Sequence, residues 1–170
     1  AEPLRVKVQA HSVVGIDAEN ETRFPTGSPY SLTFSAPGDT GIVVDREIAV
    51  PPGSTAPQTG EVRATPGGSE RLLVPSLAPP GSGVQSLAIS DVTSRPVSVT
   101  VTDAQDGATE EGLSRRLVSP RQPLVVVPQP GSPVGSEPMV VSASGPVAVE
   151  VDAGPTGSQG LVVLPALAAR

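Results

Sequence analysis

The chain has 170 residues and a formal net charge of −6, with no stripe of Lys and Arg, a balance that argues against nucleic acid as a partner. One histidine and no cysteine leave too few ligands for a zinc site, and no apolar run nears the ~18 residues that span a bilayer. Gly (18) and Pro (21) are abundant, yet 26 valines and only 16% charged residues give β-branched material to bury, so the composition favours short strands between turns over disorder.

In chain order, Leu4, Val6 and Val8 alternate with Arg5, Lys7 and Gln9, the period of a half-buried strand over residues 4–10. "HSVVGID" continues it after a bend, and a polar loop, "DAENETRFPTGSP", follows. Residues 30–34 alternate again, with Tyr30, Leu32 and Phe34 on one face, and "APGDTG" is a turn by composition. "IVVDREIAV" (42–50) is the next strand. Residues 51–69 are the richest in Pro, Gly, Ser and Thr and read as a long surface excursion with a short strand at "GEVRA".

"ERLLVP" is a strand, and "QSLAISDV" and "PVSVTVTD" read as a hairpin around "TSR". Val97, Val99 and Val101 share one face of the latter, and Pro96 stands first, where its missing N–H is tolerated. A short helical turn is expected only at "TEEGLSRRL", because prolines interrupt the other candidates. "PLVVVP" is apolar throughout, the pattern of a strand buried on both faces, and "MVVSA", "PVAVEVDA" and "LVVLPAL" complete the series. The expected fold is all-β and antiparallel, with little or no helix.

Two phrases nearly match, "LLVPSLAPPG" (72–81) and "LVVLPALAAR" (161–170), and each follows a strand, a Gly-containing turn and a Val-rich strand with acids near its end. The repeat divides the chain into two Ig-like β-sandwich modules, 1–83 with the Pro-rich insertion at 51–69, and 84–170. Leu77 and Leu167 are expected to fold back as lids, and the two phrases to superpose.

The segment "SLAISDVTSRPVSVTVTDAQDG" resembles a strand–turn–strand pattern of actinobacterial extracytoplasmic proteins of unknown function, and "GIVVDREI" is similar to their recurrent "V-V-V-E-R" strand. The resemblance covers residues 30–50 and 71–170 and departs from the family in the Pro-rich insertion and the scarcity of aromatics. It implies Ig-like modules, often behind a membrane anchor, a location outside the cytoplasm and a non-enzymatic envelope role. It carries over no catalytic residue.

The residues themselves offer little chemistry. His11 has no G-x-S-x-G elbow to serve and reads as a surface or packing residue. Asp17, Glu19 and Glu21 form a solvated acidic loop without the Gly and distal Glu of a calcium loop. An enzyme would require Asp45, Glu150 and His11 in one cleft, and strand-end acids such as these are expected to face solvent. Tyr30 and Phe34 read as core rather than as a sugar platform. Asp45, Arg46 and Glu47, with Pro51 and Pro52 beyond them, are the best-placed residues for a partner. The expectation is a non-catalytic, extracytoplasmic structural or interaction protein of a bacterial cell envelope, with no cofactor, acting by protein–protein recognition. Any membrane attachment would come through an anchor or partner outside this chain. The alternative is a glycan-binding or accessory domain of a polysaccharide-processing or glycosyltransferase system.

Overall fold

The computed structural model describes residues 4–38, 41–49, 59–64, 67–76, 84–127, 137–154 and 162–169. Among them are strands β1 (Asp45–Ala49), β2 (Thr59–Arg63), β3 (Ser69–Val74), β4 (Val84–Asp91), β5 (Val97–Asp103), β6 (Arg116–Val118), β7 (Leu124–Val126), β8 (Met139–Gly154), β9 (Val162–Pro165) and β10 (Leu167–Ala168). There is no helix among the described residues, and every strand pair is antiparallel. "TEEGLSRRL" forms turns that lead into β6 rather than a helical turn.

The 16-residue β8 organises the larger sheet. Its first half, residues 139–143, runs between β3 and β5, and its second half pairs with β4 over residues 147–154 and with β9 over residues 150–153, β3 reaching across as far as Val147. The segments "MVVSA" and "PVAVEVDA" are therefore one strand, not two. Ser144, Gly145 and Pro146 lie where one set of neighbours gives way to the other. Pro146 lacks an N–H to give to a ladder, while its carbonyl accepts from Val92 N at 3.5 Å. A Cβ on Gly145 would lie 3.1 Å from Val97 Cγ1, so a side chain there would crowd β5.

Alternation along β8 never changes phase: Met139, Val141, Val147, Val149 and Val151 are all buried. They join Leu72 and Val74 of β3, Leu87 and Ile89 of β4, Val97, Val99 and Val101 of β5, and Val118 of β6 in one apolar cluster. For strands on both halves of β8 to share a core, the sheet must curl over its own inner face. Leu, Ile, Val and Met fill this cluster without an aromatic side chain.

β4 and β5 do not pair with each other; each pairs with a different half of β8. "TSR" is thus an arch and not a hairpin turn. Asp91 accepts from Thr93 N at 2.6 Å, and Thr93 Oγ1 donates to Arg95 O at 2.8 Å. These bonds hold the bend locally and turn the chain toward the other half of β8. Among the described residues β7 pairs only with β4, at the sheet edge, and its apolar run is half-exposed instead of buried on both faces. Composition reports apolarity but not which strand lies next door.

The two matching phrases are neighbours. Leu72 and Leu73 pair with Ala168 and Leu167, which joins β3 to β10. The expected superposition involves residues outside the described set, as do Leu77 and the expected boundary up to residue 83. Leu167 is exposed, so it is no lid; Ala166 takes the inward position. β3, which precedes that boundary, lies in the sheet of β8 and β10 and shares the cluster of Leu87 and Val149.

Residues 4–38 hold turns but no strand. The alternation at 4–10 and 30–34 is real in sequence, but a strand needs a ladder partner, and neither segment has one among the described residues. Leu32 and Phe34 are 46% and 43% exposed, so they are not core residues. Tyr30 instead meets Phe24, with ring centroids 5.6 Å apart and planes tilted by 40°.

Candidate functional site

β1 and β2 form a separate two-stranded ribbon in which Arg46 stands opposite Val62 and Asp45 opposite Arg63. Residues opposite one another in such a ladder share a face. Val62 is buried, and Arg46 reaches the strand β8, so this face turns toward the larger sheet. The other face carries a cross-strand ion pair, Arg63 Nε to Asp45 Oδ1 at 3.2 Å, and Glu47, two residues from Asp45 and exposed.

Arg46 clamps the ribbon down. Its guanidinium donates to Glu150 Oε1 and lies 3.9 Å from Asp152 Oδ1. Glu150 and Asp152 alternate with the buried Val149 and Val151, so both acids stand on the outer face of β8. Ser86, paired with Asp152 in the β4–β8 register, donates to its Oδ2 at 3.2 Å. Burial pushes the Glu150 carboxyl up from its ordinary range; nearby Asp152 adds to this, and the Arg46 charge opposes it. This balance is what a structural clamp needs: two acids crowded on one face and one cation to hold them.

The sequence-derived candidates thus separate. Asp45 and Glu47 face out, whereas Arg46 is the clamp. Pro51 and Pro52 lie outside the described residues. Glu150 meets Arg46 rather than Asp45, whose partner is Arg63, and His11 sits exposed in the strandless segment with a left-handed backbone (φ 59°). Neither Glu150 nor Asp152 stood out from sequence as a partner for Arg46. The alternation in "VAVEVDA" was the available signal, since three inward valines force both acids onto the opposite face.

A second polar cluster lies at the end of β5. Asp103 accepts from Gln105 N and Asp106 N (2.5 and 3.1 Å), which closes the Asp-Gly turn. These backbone donors hold the Asp103 carboxyl low, while Glu137, which shares a hydrogen bond with it, is pushed up. Glu110 is only 8% exposed, and burial, reinforced by Asp103, raises its carboxyl. Among the described residues no group of His, Cys, Asp and Glu is placed to hold a metal ion. In the acidic loop, Asp17 accepts from Glu19 N and Asn20 Nδ2, and Glu21 pairs with Arg23, which holds its carboxyl down at about 2. Two shallow grooves accompany these features, one of about 200 Å³ beside β6 and β7 and one of about 320 Å³ between Leu4–Val6 and Val14–Glu21.

Comparison with known proteins finds no matching family model, no matching curated protein and no matching solved structure.

Proposed function

We propose that this chain is a non-catalytic, extracytoplasmic protein of a bacterial cell envelope, an Ig-like β-sandwich that recognises another protein along an open strand edge. The observation that carries the reading is the β1–β2 ribbon. Arg46 fastens one face to β8, while Asp45 and Glu47 stand on the other, and the outer edge of β1 has no ladder partner among the described residues. An unpaired edge offers backbone N–H and C=O groups to an incoming strand, and its side chains set the choice of partner. The curled sheet and the β4–β5 arch agree with a sandwich of the Ig-like kind, and the resemblance of the β4–β5 segment to extracytoplasmic proteins supports the location.

Capture from envelope extracts with the wild-type chain and with Glu47→Lys tests the reading. A protein retained by the wild type and lost with the variant, at unchanged far-ultraviolet circular dichroism, is the expected result. Equal capture by both would overturn it. The Phe24–Tyr30 ring contact favours a second reading, a glycan-binding accessory domain. Binding on a glycan array that disappears with Tyr30→Ala would establish that reading in place of the first.

A further inference from the structure

We infer that the occupant of the β1 edge is a second copy of this chain, whose residues 4–8 add to it as an antiparallel strand. The inference rests on the reading of β1 as a recognition edge and names what it recognises. Residues 4–8, Leu-Arg-Val-Lys-Val, have the period of a strand but no ladder partner among the described residues, and Val6 and Val8 remain 41% and 50% exposed. β1 is a five-residue strand that pairs on one side only among the described residues. Among the described residues, one chain therefore carries a strand-like segment without an edge and an edge without a strand, of equal length.

Charge complements the match, and the antiparallel sense is that of every other strand pair described. Arg5 and Lys7 are two residues apart, as are Glu47 and Asp45. In an antiparallel register that sets Arg5 against Glu47, Lys7 falls against Asp45, and both cations meet acids on the ribbon's outward face. Arg46 is committed to Glu150 on the other face, whereas Asp45 already pairs with Arg63 and would share its charge with Lys7, so the test is placed on Arg5 and Glu47. Within its own copy, the segment is turned back at residues 9–12, where Ser12 N donates to Gln9 O at 3.2 Å, and Leu4 and Val6 line a groove with Val14 and Ile16. A second copy presents the same strand and the same edge, so two reciprocal additions close a two-fold dimer.

Charge reversal on the full chain tests this. Wild-type protein is expected to sediment as a dimer, whose dissociation constant rises by at least about tenfold in Arg5→Glu and in Glu47→Lys, because like charges then face each other. In a mixture of the two variants, one contact of the heterodimer regains opposite charges with their order reversed. The other keeps the native Arg5 opposite Glu47, so the heterodimer should return to wild-type affinity. The chain has no cysteine, so Arg5→Cys mixed with Glu47→Cys should give an intermolecular disulfide, the expected Cα separation of about 4.5–5.5 Å lying within its reach.

A wild-type monomer, or variants that do not complement, would overturn the inference. So would an intramolecular disulfide in the doubly substituted chain at dilution, which would assign the edge to the chain's own segment. If the wild type is monomeric while envelope capture still depends on Glu47, this occupant fails and the recognition edge stands. If Glu47→Lys alters neither readout, both fail.

Discussion

Arg46 holds a position where two acids crowd one face of β8, and its loss has two separable effects. Its side chain is half-exposed, so Arg46→Ala should lower stability by less than about 1 kcal/mol. The same substitution removes the charge that opposes desolvation, and the Glu150 carboxyl should titrate at still higher pH, as carboxyl-carbon NMR would read. Glu110 acts in the opposite sense to an ordinary paired acid. Its folded-state carboxyl is raised, so its contribution to stability is fully present below the unfolded value and is lost as pH rises through the folded one. Glu110→Gln should therefore increase the melting temperature more at pH 7 than at pH 4, and equal shifts at the two pH values would contradict this account. The valines of β5 and β8 were legible as core because alternation assigns a face. Glu110 was not, since its burial comes from the turn after β5 folding back, which no period records.

β3 and β8 meet where a missing side chain matters. A Cβ on Gly68 would come within 2.7 Å of Val92 Cγ2 and 3.0 Å of the Val147 backbone, so Gly68→Ala should cost about 1–3 kcal/mol, measured by denaturant unfolding. Val141 is fully buried between β3 and β5, and Val141→Ala should cost about 2–3 kcal/mol through lost apolar burial and the cavity left behind. The strands from β1 to β5 were all legible in the sequence within a few residues. Their partners were not: "TSR" has the composition of a hairpin turn and forms an arch, and "SGP" has that of a turn and is spanned by a strand. Local chemistry sets how a backbone bends, while the strand lying alongside is decided by the shared core. The ribbon's Arg46 was legible as a candidate, but its role required Glu150, 104 residues away.

Across the molecule, protection should be uneven. At concentrations where the chain is monomeric, the backbone amides of residues 4–8 and 13–16, which have no ladder partner among the described residues, should exchange hydrogen quickly. Those of residues 139–142 and 150–153, flanked by a paired strand on both sides, should exchange last. Mass-resolved exchange reads both classes at once, and protection of 4–8 that grows with protein concentration would follow from strand exchange between copies. The scarcity of aromatics was legible as a core of small aliphatic contacts, and the cluster matches that expectation. The exposure of residues 4–38 was not legible, since their alternation is the same as that of buried strands and only the missing neighbour differs.

The central place of β8 also sets an order of events during synthesis. β3, β4 and β5 each form their longest ladder with β8, which comes last of the four in the chain. Until β8 has emerged, β4 and β5 can close only on the three-residue strands β7 and β6, and β3 has no earlier ladder partner among the described strands. Most of the pairing among the described strands is of long sequence separation, which slows folding and lengthens the interval in which apolar strands are open to misassociation. A growing chain of this kind gains little by folding before β8 is available, and one kept extended until then can assemble its larger sheet around that strand.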